Sequence, residues 1–132
     1  MKLSSRADRE IRTMAKLIIG IASSEALRQR TIDIAAGRIT PKKDEPKIWV
    51  SSMESIGRLL SKENYLLIEA IRQHHPLTIS DLARLVQREQ ANVSRTLSRM
   101  ADFHIVELVE TNGKKKPEVY WDEISIVSTR AA

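Results

Sequence analysis

Residues 77–122 constrain this chain more than any other stretch, because two short amphipathic repeats, a tight turn and an alternating segment with three lysines follow one another almost without a gap. Ser80 is placed to N-cap a first helix over residues 81–86, in which Leu82, Ala83 and Val86 share one apolar edge. Two helices that cross at a short turn need a small residue at the crossing point. Ala83, followed by Val93 and Leu97 on a second helix over residues 90–103, meets that need. With Val93, Leu97 and Met100 turned inward, about 100° per residue puts Ala91, Ser94, Arg95 and Ser98 on the outward face and Asn92 and Arg99 on its flanks. Glu89 falls in the turn, where an acid favours the N-terminus of the following helix.

That outward face has the chemistry of a DNA major-groove reader. Asn pairs bidentately with adenine, Arg with guanine, and Ser with a base edge or phosphate. The helix has no exposed acid before Asp102. The candidate DNA-contacting residues are therefore Gln90, Asn92, Ser94, Arg95, Ser98 and Arg99, with Arg84 and Arg88 placed for phosphates. Beyond the helix, Ile105, Val106, Glu107 and Leu108 alternate as a half-buried strand does. Asn112-Gly113 is a strong hairpin dipeptide, and Lys114, Lys115 and Lys116 would form a basic tip beside phosphates or in a minor groove. Pro117 suits the first residue of the next strand, and Val119, Trp121 and Ile124 resume the alternation. The blander readings stay open: Arg84 and Arg88 as a solvated helix face, the lysines as a solubilising turn.

The spacing of Leu82, Ala83, Val93, Ser94, Arg95, Leu97 and Met100 resembles the winged helix-turn-helix of MarR/ArsR-type transcriptional regulators of bacteria and archaea. Residues 47–126 also resemble a compact group of regulators in which an upstream strand and helix, here KIWVSSMESIGRLL, precede the winged domain. Members of that group are often carried by mobile elements or paired with toxin genes. Two positions depart from the usual pattern: Gln87 replaces the turn glycine, and His104 replaces the glycine that ends the recognition helix. Both positions commonly require a left-handed backbone.

Upstream, Ala7, Ile11, Met14, Ala15, Ile18 and Ala22 recur at helical spacing and predict an amphipathic helix over residues 6–22. Ser23 or Ser24 can cap a second helix, with Leu27, Thr31, Ile34 and Ala35 on its apolar edge and Gly37 at its end. Residues 37–46 read as a polar linker with two prolines. Ile48, Trp49 and Val50 then predict a short strand, residues 52–60 a short helix, and residues 62–73 a nearly all-apolar support helix that Pro76 ends. Trp49 and Trp121 read as strand-packing aromatics.

These features predict a mainly α fold with a small β-wing, α+β in class: a winged helix-turn-helix with an N-terminal helical arm. Residues 1–46 form the arm and linker, suited to dimerisation or to folding back on the rest of the chain, and residues 47–132 the DNA-binding domain. With 42% hydrophobic residues in 132 the chain buries a core without metal or disulfide staples. No cysteine, only three histidines and no glycine-rich phosphate loop argue against an enzyme, a metal centre or a cofactor. The net charge of +5 suits an anionic partner. The longest apolar run near the N-terminus, residues 17–22, is far below the ~18 residues a membrane span needs, which predicts a cytoplasmic protein. The expected function is sequence-specific binding of double-stranded DNA as a homodimeric repressor. The alternative is an autoregulating antitoxin that also neutralises a partner toxin protein.

Overall fold

The computed structural model describes residues 15–128 apart from 44 and 47. Within them lie β1 (Ala15–Ile21), α1 (Ser24–Ala35), β2 (Ile48–Val50), α2 (Met53–Leu59), α3 (Lys62–His74), α4 (Ile79–Val86), α5 (Gln90–Asp102), β3 (Glu107–Thr111), β4 (Lys114–Glu118) and β5 (Trp121–Ser128). The class is α+β. Three strands form a parallel sheet in the order β2, β1, β5, and β3 and β4 form a separate antiparallel hairpin. No helix among the described residues is long and apolar enough to cross a membrane.

The N-terminal segment departs from expectation. The helix expected over residues 6–22 is, in its described part, the central strand β1; residues 6–14 lie outside the described residues. A strand buried on both faces reads as an unbroken apolar run, which over a few turns is indistinguishable from the stripe of a helix. Three isoleucines and Gly20 within seven residues decide for the strand. Leu17 and Ile19 are buried in the same cluster as the helix residues Ile56, Leu67, Ile68, Leu82, Val93, Leu97 and Met100. β1 is thus part of the main core and not of an appended arm.

On the other face of the sheet, Gly20 lies beside Trp49, its register partner on β2. A Cβ on Gly20 would come within 2.5 Å of the indole ring, so only glycine lets that ring lie flat there. The Arg30 guanidinium stacks 5.2 Å from the centre of the same ring and pairs with Glu45 at 2.6 Å. Glu45 also accepts the Lys42 amide at 3.1 Å. The Arg30 hydrogen bond, with the Lys42 amide second, holds the Glu45 carboxyl below its ordinary value. This tie is complete above the ordinary glutamate range and is lost as pH falls through the lowered value. The second expected helix is present as α1, capped by Ser23 and closed by Gly37 at φ 80°.

From β2 onward the elements follow the sequence closely. Ser52 caps α2 and Ser61 caps α3. α3 buries Leu67, Ile68 and Ile71 on one side and leaves Tyr65 and Leu66 exposed, so it supports the core with one face rather than being apolar all round. It ends where His75 turns left-handed at φ 47°, just before Pro76. The second strand expected after the basic turn divides in two: β4 stops at Glu118, and β5 leaves the hairpin to pair in parallel with β1. Trp121 marks the junction. The residue is 5% exposed, its Nε1 donates to the Ile105 carbonyl at 2.7 Å, and Arg72 stacks 4.5 Å over its ring while donating to its carbonyl oxygen.

Two glycines give opposite expectations in a denaturant titration. Gly20→Ala should destabilise the protein by ~1–3 kcal/mol, since the new methyl must displace the Trp49 ring. Gly57→Ala, on α2 with nothing within 4 Å of the added carbon, should stabilise it by about 0.5–1 kcal/mol. Equal effects at the two sites would contradict the Gly20–Trp49 packing. Trp121→Phe keeps one aromatic ring but removes the N–H that bonds the Ile105 carbonyl, and should lower stability by ~1–3 kcal/mol in the same titration.

Candidate nucleic-acid interface

α4 and α5 are joined by three residues, 87–89, and the closure of that turn is local. Gln87 takes the left-handed backbone at φ 58°, and the next amide, Arg88 N–H, reaches back to the Ala83 carbonyl at 3.0 Å. The position that usually carries glycine is thus left-handed here too, with glutamine accepting the strain. His104, at φ 59°, does the same where α5 ends. Ala83, at 4% exposure, and the fully buried Val93, Leu97 and Met100 belong to one cluster, as the crossing geometry requires.

The start of α4 differs from expectation. The N-cap is Thr78, whose hydroxyl accepts from the Asp81 amide at 3.0 Å, so the helix opens two residues earlier and Ser80 lies in its first turn. The signal was present as Thr-Ile-Ser-Asp, a hydroxyl followed three residues later by an acid. Glu89 occupies the N-cap position of α5 but makes no side-chain cap hydrogen bond.

Burial on α5 follows the expected helical phase. Gln90, Ala91, Arg95, Ser98 and Arg99 are exposed, and Asn92 and Ser94 are half-buried. Arg95 and Arg99 have no ion pair among the described residues. Arg84 is exposed and pairs with Asp81 at 3.4 Å. Arg88 is half-buried and bonds to the side-chain oxygens of both Asn64 and Asn92. Of the eight candidates from Arg84 to Arg99, the structure therefore brings Gln90, Ser94, Arg95, Ser98 and Arg99 onto one accessible face. Arg88 and Asn92 are held by each other, a bond that helical spacing alone does not reveal.

The hairpin turn uses Asn112 at φ 51° and Gly113 at φ 77°, the two positive angles of a two-residue turn matched to strand twist. Strand pairing then begins at once with Thr111 opposite Lys114, so the three lysines are strand residues and not a loop tip. Alternation sends Lys115 to the opposite face from Lys114 and Lys116. Lys114 and Lys115 are exposed without ion pairs among the described residues, whereas Lys116 pairs with Glu118 at 3.6 Å. Pro117 is the fourth residue of β4 and not the first. Counting outward from the turn, its pair with Leu108 is a non-hydrogen-bonded one, so the missing N–H faces away from β3.

The hairpin and the two helices meet. Thr78, Ile79 and Ser80 at the start of α4, Gln90 at the start of α5, and Lys114 and Lys115 line one shallow depression. The start of α4, the first residue of α5 and the first two residues of β4 thus border the same small volume. Elsewhere, the described residues contain no group of His, Cys, Asp and Glu able to hold a metal ion.

A search of curated proteins returns no match. A family model described as HVO_A0114 matches residues 59–126, from the last residue of α2 through α3, α4, α5 and the hairpin and into β5. With just over half of the 132 residues matched, the chain belongs to the HVO_A0114 family.

Proposed function

We propose that α3 to β4 make a winged helix-turn-helix of the MarR/ArsR type, with α5 as recognition helix and the β3–β4 hairpin as wing. The protein is then a sequence-specific regulator of transcription that binds double-stranded DNA in the cytoplasm and represses by occupying an operator. It is a binding protein rather than an enzyme and uses no cofactor. The observation that carries this reading is the exposed α5 face, on which Arg95 and Arg99 have no ion pair among the described residues, beside a depression bordered by the start of α4, Gln90, Lys114 and Lys115. Phosphate-binding groups flank a helix face of base-reading chemistry, which is the division of labour that DNA recognition needs. A homodimer would present two such faces to two half-sites one helical turn apart.

An antitoxin remains the second reading, favoured by one observation. α1 has no buried residue and exposes Ile32 and Ile34, so this helix is left largely uncovered and could meet a toxin partner while the winged half binds the promoter.

Two sets of variants test the DNA reading in equilibrium titrations against a duplex from the gene's own upstream region and a scrambled duplex. Arg95→Ala should weaken binding to the upstream duplex by ~1–3 kcal/mol and reduce discrimination between the two. Replacing both Lys114 and Lys115 by Ala should weaken binding to both duplexes alike and reduce the slope of log K against log salt by about 2. Adding Lys116→Ala should change little more, because Lys116 is already paired with Glu118. Unaltered binding in both sets would remove α5 and the hairpin from the interface.

A further inference from the structure

Asn64, at the third position of α3, joins three segments that sequence leaves unconnected. Its Nδ2 donates to the carbonyls of Arg58 and Leu59 at 3.3 and 3.1 Å, closing the end of α2. Its Oδ1 accepts from Arg88 Nη1 at 3.4 Å, and Arg88 Nη2 donates in turn to Asn92 Oδ1. The line of bonds runs from the end of α2, through the first turn of α3 and the turn between α4 and α5, to the first turn of α5. Asn64, Arg88 and Asn92 are each half-buried, so a lost partner is only partly replaced by water.

We infer that Asn64 is a positioning residue for DNA recognition, holding the first turn of α5 at a fixed angle through Arg88, and that Arg88 and Asn92 serve this tie rather than the bases. This inference rests on the reading of α5 as the recognition helix. Bidentate pairing with adenine needs the Asn amide to accept and donate at once. The acceptor half of Asn92 is already engaged by Arg88. Arg95 lies less than one turn further along, so a tilt of the first turn of α5 displaces it relative to a base edge. Arg88 alone can supply the connection, because its planar fork addresses two oxygens in fixed directions.

The test compares Asn64→Leu, which fills the space but makes no bonds, with Asn64→Asp, which keeps an oxygen for Arg88. Two quantities are read: the ratio of affinities for the upstream and scrambled duplexes in a mobility-shift titration, and amide hydrogen exchange at residues 93–96 in the free protein. Asn64→Leu should lower the affinity ratio about tenfold, the share of one well-made base contact, with the salt slope unchanged because phosphate contacts persist. Its amides at 93–96 should exchange faster. Asn64→Asp should restore part of both, since a charge-assisted bond to Arg88 replaces the neutral one while the carbonyls of Arg58 and Leu59 lose their donor. A wild-type ratio together with wild-type exchange in Asn64→Leu overturns the inference. If the wild-type protein itself does not prefer the upstream duplex, the regulator reading fails separately. Exchange then decides the tie: faster exchange in Asn64→Leu sustains it, and unchanged exchange removes it.

Discussion

Trp121 sits where the two halves of the molecule meet, with its ring among the helices, its N–H on the carbonyl of Ile105 just beyond α5, and its backbone opening the strand that pairs with β1. Arg72 covers the ring and takes its carbonyl oxygen, so the last turn of α3 is fastened to the same residue. A buried ring of this size contributes on the order of 3–5 kcal/mol to stability. Placement matters more than that magnitude. Because β5 follows directly on the β3–β4 hairpin, holding Trp121 fixes where the hairpin leaves the body of the protein. Because β5 pairs with β1 from Ala15 to Ile21, it also draws the N-terminal strand into the core.

The basic face follows from this frame. Ala83 lets α4 and α5 cross closely, left-handed Gln87 closes their turn, and the Asn64–Arg88–Asn92 bonds hold the first turn of α5 against α2 and α3. The two-residue turn at Asn112-Gly113 starts strand pairing immediately, which sets Lys114 and Lys115 beside Gln90 and the opening of α4. Arginines that could have joined the exposed face are sorted by their partners: Arg84 by Asp81, Arg88 by two asparagines, Arg72 by Trp121. Arg95, Arg99, Lys114 and Lys115 have no ion pair among the described residues.

Much of this was legible in the sequence, and the exceptions share a cause. Local signals worked where the structure is decided locally: the inward set Val93, Leu97 and Met100, the cap at Ser23, the strand at Trp49 and the turn at Asn112-Gly113 all came from spacing and turn chemistry. Gln87 and His104, flagged as departures from glycine, keep the left-handed backbone that glycine would have supplied. What was misread depends on partners far away in sequence. Residues 15–21 are a strand because β5 lies more than a hundred residues later; their apolar spacing fits a helix equally well. The bond that holds Arg88 was hidden as well, because Asn64 arrives from another helix. A hydrogen-bond partner two dozen residues upstream leaves no periodic mark.

The most direct test of the DNA-binding face is a nuclear magnetic resonance titration of the uniformly labelled protein with a short duplex from its gene's upstream region. The account predicts that shift changes concentrate at residues 78–80, 90–99 and 112–115, the surfaces that meet around the shared depression, while the outer face of the sheet around Gly20 and Trp49 stays unchanged. Changes centred on α1 and the sheet, or none at a protein concentration that saturates weaker non-specific binding, would contradict it.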